Sequence, residues 1–176
     1  GIEIGLEKII ASSWQLNGAF TVGDYLYNSR PLATITRDNS QEIVAEDKTI
    51  FLKNYKIGGM PQTAASVGLK YNSPKYWYVG TNFNYFAEIY MPPNPDRRTQ
   101  EALAAYVSTD PQVDQILNPE KLENGYTLNI YGGKSWKIHK YNSFVRLNIN
   151  VNNLLNNTQF RTGGYEQLRY DINDID

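Results

Sequence analysis

Residues 144–153 of this chain read FVRLNINVNN, and their alternation limits what kind of fold the sequence can form. Side chains of a strand point to opposite faces in turn, so this segment has one aliphatic and one polar face. The aliphatic residues are Val145, Leu147, Ile149 and Val151, and the polar ones are Arg146, Asn148, Asn150 and Asn152. In a soluble protein the aliphatic face would cover a core, whereas in a membrane barrel it would face lipid around a wet lumen. The alternation alone leaves both folds open.

The composition excludes several classes of protein. Charge is balanced, with 17 Lys+Arg against 18 Asp+Glu, so the chain has no electrostatic footprint for nucleic acid. The absence of cysteine excludes a disulfide framework and a thiolate metal site. No apolar run reaches the roughly 18 residues of a transmembrane helix, although barrel strands need only be half apolar. The 14 tyrosines suit a membrane interface or a ligand-binding surface equally well.

The same alternation recurs along the chain and predicts an all-β fold, an antiparallel up-and-down meander of about six long strands. The predicted strands cover about residues 2–9, 14–27, 63–71, 76–90, 126–138 and 144–153. Most of them reach the about 9–11 residues that a tilted membrane-spanning strand needs, whereas strands of soluble sheets usually have about five or six. Segments 33–37 and 49–55 are predicted to form an extra hairpin.

Two charged residues break the alternation. Asp24 lies on the apolar face of the second strand, which indicates that the strand has left the hydrocarbon, or bulged, by that point. Lys134 lies on the apolar face of the fifth strand. Either Gly132 and Gly133 form a bulge there, or the lysine snorkels towards an interface.

The connections alternate between short and long. Short turns are predicted at 11–13, 72–75 and 139–142, and long loops at 28–62, 91–124 and 154–176. Within the second loop we predict a helix over 99–107 and another that begins at Pro111 with Asp110 as its N-cap. A meander of this kind has its tight turns at one end and its large loops at the other, as outer-membrane barrels do.

Aromatic residues are concentrated at both ends of the predicted strands. Trp14, Trp77 and Trp136, with Tyr76 and Tyr141, flank the short turns. The opposite strand ends carry Tyr25, Tyr27, Tyr85, Tyr90 and Tyr126. Two aromatic belts on either side of an aliphatic band are typical of a protein that spans a bilayer.

Two short motifs carry a resemblance to a known family. Residues 152–157 read NNLLNN and residues 161–167 read RTGGYEQ, in that order after a predicted strand. The motif residues are Asn152, Asn153, Leu154, Leu155, Asn156, Asn157, Arg161, Thr162, Gly163, Gly164, Tyr165, Glu166 and Gln167. Over this stretch the chain resembles a segment near the C-terminus of TonB-dependent outer-membrane receptors, especially those of Bacteroidetes. The rest of the chain is similar to the family in layout only.

The resemblance implies a function and a set of partners. Residues 1–176 would be a single barrel segment, a fragment with late strands of a barrel of about 22 strands in the outer membrane of a Gram-negative bacterium. The family imports a siderophore, cobalamin, glycan or peptide. The implied partners are the lipid bilayer, the remainder of the barrel, the plug domain and TonB, with a surface lipoprotein as a further candidate. The plug and the TonB box would lie outside this chain.

The candidate site residues are few. Weak candidates for ligand contact, on the predicted lumen face or in the loops, are Asn82, Asn84, Glu88, Tyr90, Arg97, Arg98, Arg146 and Asn148. The only histidine, His139, is predicted to be a solvated turn residue. Glu3, Glu7 and Glu88 are not placed by the sequence as a glycosidase pair. We therefore predict no enzyme activity, no metal site and no cofactor.

A second hypothesis stays open on the residues alone. A soluble β-barrel or β-sandwich could use the aliphatic stripe as its interior and bind a small apolar ligand or a protein partner. Solubility without detergent and a cooperative melt would favour it. An enzyme is the third and weakest hypothesis.

Overall fold

Strands dominate the computed structural model, which describes residues 1–37, 39–104, 111–159 and 161. The strands are β1 (Ile2–Ala11), β2 (Trp14–Val22), β3 (Leu32–Thr36), β4 (Ile43–Thr49), β5 (Pro61–Ser73), β6 (Trp77–Ile89), β7 (Gly125–Ile138) and β8 (Ser143–Val151). Two short α-helices follow β6, α1 (Gln100–Leu103) and α2 (Pro111–Leu117), and 3-10 turns cover Asp96–Arg98 and His139–Tyr141.

Six of the strands form one sheet in the order β1-β2-β5-β6-β7-β8, and β3 pairs only with β4. Each strand of the large sheet therefore lies beside the next one of that sheet along the chain. The predicted all-β class and the antiparallel six-strand meander are confirmed. Tight turns join β1 to β2, β5 to β6 and β7 to β8, while the long connections leave the opposite strand ends.

The register brings like side chains together. Leu16 of β2 is paired with Leu69 of β5, and Ile130 of β7 with Val151 of β8. Since directly paired residues of neighbouring strands share a face, the aliphatic stripes of the strands merge into one aliphatic face, and the polar stripes merge into a polar face.

The second strand is shorter than predicted. β2 ends at Val22 instead of residue 27, and the Gly23 amide then donates to the Gln62 carbonyl. Asp24 lies beyond the strand and pairs with the Lys56 ammonium. The break in alternation at Asp24 thus coincides with the end of the strand, and the pairing of β2 with β5 contains no bulge.

The extra hairpin exists, but one of its two predicted arms is wrong. β3 lies close to the predicted segment 33–37, whereas its partner β4 precedes the predicted segment 49–55. Residues after β4 instead enter a small core, in which Ile50, Leu52 and Tyr55 are buried. The apolar pattern of residues 49–55 is compatible with a strand, but these side chains are buried in a core outside any strand.

The predicted helices are found in part. Thr99 caps α1 by accepting a hydrogen bond from the Ala102 amide at 3.2 Å. α1 ends at Leu103, because Ala104 is its C-cap and donates its amide to the Glu101 carbonyl, so the helix is shorter than predicted. Residues 105–107 of the prediction lie outside the described residues. α2 begins at Pro111 as predicted, while its predicted cap Asp110 also lies outside them.

The chain divides into two compact units. The first is the large sheet, formed by Gly1–Gly23, Pro61–Glu88 and Glu123–Arg161. The second combines the two long connections, Asp24–Met60 and Ile89–Leu122. Tyr27 and Ala33 pack against the small core of the second unit, so these connections form a folded body of their own.

Candidate functional site

The aliphatic face of the sheet is exposed in the described part of the chain. On β8 the exposed fractions of Leu147 and Ile149 are 53% and 60%, and Val67 of β5 is exposed by 51%. Further exposed residues of this face are Ile2, Ile4, Leu6, Phe20, Val79, Phe83, Ile130, Val145 and Val151. Scattered apolar residues are normal on a protein surface, but a continuous apolar face of this extent marks contact with a partner or a membrane.

An aromatic row crosses this face near the short turns. Trp14 is paired with Tyr71 across β2 and β5, with ring centroids 4.9 Å apart. Tyr71 in turn lies 5.2 Å from the ring of Trp77 on β6. Trp136 lies on the same face of β7, nearer the turn, and is 46% exposed. The row therefore places amphipathic rings, of the kind enriched at membrane interfaces, at one level of an apolar surface.

The predicted belt at the opposite strand ends is smaller than expected. Tyr85 and Tyr126 are paired across β6 and β7 on the aliphatic face, where the Phe83 and Tyr126 rings also stack. Tyr27 instead packs against the small core of the second unit, and Tyr90 is buried in that unit. The prediction for these two residues is wrong, because the chain has left the sheet at Tyr27 and enters the second unit at Tyr90.

The structure decides between the two interpretations of Lys134. Pairing runs without a shift from Trp77–Lys134 through Tyr78–Gly133 to Val79–Gly132, so Gly132 and Gly133 form no bulge. The Lys134 ammonium donates to the carbonyl of Lys75 in the neighbouring turn. Lys134 therefore snorkels from the aliphatic face towards the turn end of the sheet.

The polar face is cross-linked by hydrogen bonds. Asn84 accepts from the Ser66 hydroxyl at 2.9 Å and donates to Thr127 Oγ1 at 3.1 Å, which joins β5, β6 and β7. Arg146 donates to Ser135 Oγ at 3.1 Å between β8 and β7. Of the candidate residues, Asn84 and Arg146 thus bond within the sheet.

Glycines make room for the larger side chains of this face. The Gly80 position has the Tyr131 ring directly above it, where a Cβ would meet ring atoms at 2.5 Å to 2.8 Å. Above Gly68 lie the amide oxygens of Asn17 and Asn82, in the space a Cβ would take. These pairings were missed from the sequence, although a glycine directly opposite a tyrosine in a paired register is a recognisable signal.

A groove opens on the polar face near the β1 side of the sheet. It has a volume of about 410 Å³. Small residues form its floor, among them Gly5, Ala19 and Ala64, while Glu3 and Phe86 border it. Its shape follows from the scarcity of large side chains in this part of the face, and it could receive a ligand or a segment of chain.

Two candidate residues in the second unit maintain its structure. Arg98 is 2% exposed, and its guanidinium lies 4.5 Å above the centre of the Tyr55 ring. It donates to the Asn94 carbonyl at 3.1 Å, the Tyr55 hydroxyl at 3.2 Å and the Ile116 carbonyl at 2.8 Å. Tyr90 is buried and bridges to Lys121 through its backbone. Arg98 and Tyr90 therefore have structural roles in this unit.

The remaining candidates belong to both units of the chain. Asn148 accepts a hydrogen bond from the Tyr78 hydroxyl on the polar face, and Glu88, near the end of β6, has a left-handed φ of 54°. Arg97 is half-buried in the 3-10 turn before α1. Of the eight candidates, five thus belong to the large sheet and three to the second unit.

The asparagine motif that follows β8 is a compact turn held to β7. Asn153 and Asn156 adopt left-handed φ values of 51° and 49°, a conformation that asparagine tolerates better than most residues. The Asn153 side chain exchanges hydrogen bonds with the backbone of Asn157 at 3.0 Å and 3.1 Å. Asn157 Nδ2 reaches the Tyr126 carbonyl on β7 at 3.1 Å. In the second motif only Arg161 is described, and 162–167 lie outside the described residues.

The titratable groups show no assembled reaction centre in the described part of the chain. His139 is exposed in the turn between β7 and β8, as predicted. Glu3 and Glu7 share the polar face of β1, and Glu7 accepts a hydrogen bond from Gln15. Within the described ranges no group of three potential metal ligands occurs. The Lys48 ammonium, which donates to the Glu101 carboxylate, lowers the pKa of Glu101 below its ordinary value.

The described helices are all too short or too polar to cross a membrane. Neither family models, curated proteins nor solved structures provide a match to this chain.

Proposed function

We propose that this chain is a barrel segment of a TonB-dependent receptor of Bacteroidetes type, located in the bacterial outer membrane. Its role is to contribute to nutrient binding and import, and it carries no catalytic activity of its own. The nutrient class follows the family: a siderophore, cobalamin, a glycan or a peptide.

The observation that carries the proposal is the exposed aliphatic face with its aromatic row. A sheet in water places its apolar face inside, yet here residues such as Ile149 are exposed, while the polar face of the inner strands β5, β6 and β7 is half-buried and hydrogen-bonded. Lipid contact accounts for this distribution, because acyl chains solvate the aliphatic band and the interface accommodates Trp14, Tyr71 and Trp77. If the aliphatic face instead covered a protein core, the aromatic rings would have no reason to gather at the turn end of the sheet.

The topology supports the same proposal. Short turns at one end and long connections at the other are typical of outer-membrane barrels. Within the described residues the sheet ends at β1 and β8, each of which has one edge with no partner strand. A sheet of this length needs its edges paired, and in the proposed receptor further strands of a barrel of about 22 pair with them.

The two faces then have different partners. The aliphatic face contacts the bilayer, and the polar face, with its groove, faces the interior and the plug domain. The folded second unit supplies surface for the nutrient or for a surface lipoprotein. TonB acts through the plug and the TonB box, which lie outside these 176 residues.

The proposal is tested by tryptophan quenching after reconstitution of the chain into lipid vesicles. Variants that keep one tryptophan each, with the other two replaced by Phe, report the depths of Trp14, Trp77 and Trp136 separately. Brominated lipids with bromine at several acyl positions provide the quenchers. We expect strong quenching of all three by shallow bromine, at similar depth, because the rings lie near the same end of the sheet.

A control sample of the chain in urea, mixed with the same vesicles, defines quenching without insertion. A water-soluble monomer with a cooperative melt and no quenching would overturn the membrane proposal. The aliphatic face would then cover a protein interior or bind an apolar ligand or partner.

A further inference from the structure

Charge is balanced over the whole chain but segregated within the sheet. The segments 8–16, 70–79 and 134–146 surround the three short turns, and all of their residues are described. Together they contain seven of the 17 Lys+Arg and none of the 18 Asp+Glu. The seven cations are Lys8, Lys70, Lys75, Lys134, Lys137, Lys140 and Arg146. We call these three segments the turn-end rim.

Two cations of the turn-end rim lie on the aliphatic face beside the aromatic row. Lys134 is the direct partner of Trp77 and sends its ammonium to the Lys75 carbonyl. Lys8 lies on the aliphatic face opposite Leu16 and is exposed. Both therefore have a hydrocarbon stem on the aliphatic surface and a charged end available at its border.

The remaining lysines lie at the same end, with Lys70 and Lys137 on the polar face and Lys75 and Lys140 in the turns. Lys75 and Lys140 are exposed in the turns, and Lys137 is exposed with its ammonium 6.0 Å from the centre of the Phe144 ring. Lys70 lies 4.9 Å above the Tyr78 ring. The three segments contain no carboxylate, and the Glu7 carboxylate that adjoins them accepts a hydrogen bond from Gln15 on the polar face.

We propose that the turn-end rim binds the phosphate headgroups of anionic phospholipids. This inference rests on the proposed function, because it places the aromatic row at the headgroup level of a bilayer. Tryptophan and tyrosine rings lie at that level, and lysines bordering them meet lipid phosphates at short range. The formal net charge of the chain is -1, so a preference for anionic lipid arises from local charge and not from overall attraction.

The test compares partition of the full 176-residue chain into two kinds of vesicle. One consists of phosphatidylcholine and the other of an equimolar mixture of phosphatidylcholine and phosphatidylglycerol. Partition is measured by vesicle co-sedimentation and by the shift in tryptophan emission. We expect stronger partition into the anionic vesicles, by up to about fivefold for each engaged lysine at low salt, and a smaller difference at high salt.

Two matched triple variants localise the effect. Lys75→Gln, Lys137→Gln and Lys140→Gln remove three charges from the turn-end rim. Arg30→Gln, Arg37→Gln and Lys53→Gln remove three from the first long connection. We expect the first variant to lose most of the preference for anionic vesicles while its partition into phosphatidylcholine and its far-ultraviolet circular dichroism stay unchanged. The second should keep the preference.

The outcomes separate this inference from the proposed function. Equal partition of the unmodified chain into both vesicles would overturn headgroup binding and leave the membrane-spanning proposal standing. An equal loss of preference in both triple variants would also overturn it, since overall charge would then be the cause. A chain that enters neither vesicle would overturn both proposals, and an acidic protein would become the better partner for the turn-end rim.

Discussion

The Tyr78 hydroxyl donates a hydrogen bond to Asn148 Oδ1 at 2.9 Å, and Gly133 lies between them in the paired register. Tyr78 belongs to β6 and Asn148 to β8, so the bond crosses over the intervening strand β7. The absence of a side chain at Gly133 makes this contact possible.

Replacing Gly133 should therefore disrupt the polar face. A Cβ there would lie 2.5 Å from Asn148 Oδ1, 2.7 Å from Tyr78 Cε1 and 2.9 Å from the Leu147 carbonyl oxygen. We expect Gly133→Ala to destabilise the folded chain by about 1–3 kcal/mol, as overpacking does elsewhere, measured by urea unfolding in detergent or lipid. Gly5→Ala is the control, because its Cβ would have nothing within 4 Å. Equal effects of both substitutions would contradict the packing assigned to Gly133.

A charge on the aliphatic face should distinguish lipid from water. Ile149 is already 60% exposed, so in water Ile149→Arg would cost little. Against lipid we expect a loss of about 1–2 kcal/mol and a lower yield of folded chain in vesicles, because Ile149 lies only two residues deeper than the level of Trp77 and Lys134. Asn150→Arg places the same charge on the polar face of the same strand and should be tolerated. If vesicles tolerate both variants equally well, the proposal that the aliphatic face contacts lipid is contradicted.

The turn after β8 should depend on one asparagine. Asn153→Ala removes two side-chain hydrogen bonds to Asn157 and leaves alanine at a φ of 51°. We expect a loss of about 1–3 kcal/mol and faster hydrogen exchange at the Leu154 amide, which bonds to the Leu128 carbonyl. Asn152→Ala, at the exposed neighbouring position, is the control. Unchanged exchange at Leu154 in the first variant would argue against the side chain as the clamp.

Arg98 should be essential to the second unit. Arg98→Ala leaves the carbonyls of Asn94 and Ile116 without its donors, and we expect a loss of about 3 kcal/mol or more. Lysine cannot reproduce the planar fork, so Arg98→Lys should not restore stability. Hydrogen exchange of residues 50–57 reports the effect. Arg37→Ala, in an ion pair with side chains 56% and 62% exposed, should change little. A stable Arg98→Lys variant would show that the fork is dispensable.

The stability of the second unit should fall in acid through Glu101. The hydrogen bond from Lys48 lowers the pKa of this carboxyl in the folded state relative to the unfolded one. A lowered folded pKa stabilises the fold above the unfolded pKa, near 4.5, and this contribution is lost as pH falls through the folded value. In Glu101→Gln we expect the stability of the second unit to decline less steeply below that pH. Hydrogen exchange at α1 measures this decline. Glu42→Gln is the control, and parallel declines in wild type and Glu101→Gln would refute the linkage.

The strands and their faces could be predicted because they depend on local alternation. Val145 to Val151 alternate strictly, and the structure places them as the sequence indicated. The position of β4 could not be predicted in the same way. Residues 43–55 contain two apolar stretches, and the one that enters the core is decided by contacts with Tyr27 and Ala33 from other parts of the chain.

The candidate site was less predictable for the same reason. Arg98 carries no sequence signal that separates it from Arg97, yet Arg98 is buried against Tyr55 from a distant segment while Arg97 is only half-buried. The Tyr78–Gly133–Asn148 contact required the register of three strands. Lys134 was singled out correctly as an exception to the alternation, but the choice between a bulge and a snorkelling side chain needed the pairing of β7 with its neighbours.

The glycines of the large sheet are distributed unequally between its two faces. Five of the seven in its strands lie on the polar face, Gly5, Gly68, Gly80, Gly125 and Gly133, and only Gly18 and Gly132 lie on the aliphatic face. When a sheet curls, the side chains on its concave surface are crowded and those on its convex surface spread apart. The glycines thus remove bulk from the surface that would be compressed if the polar face turned inwards. Bending this sheet the other way would crowd tryptophans and branched aliphatic side chains, so its preferred direction of curvature is set by residue size as well as by polarity.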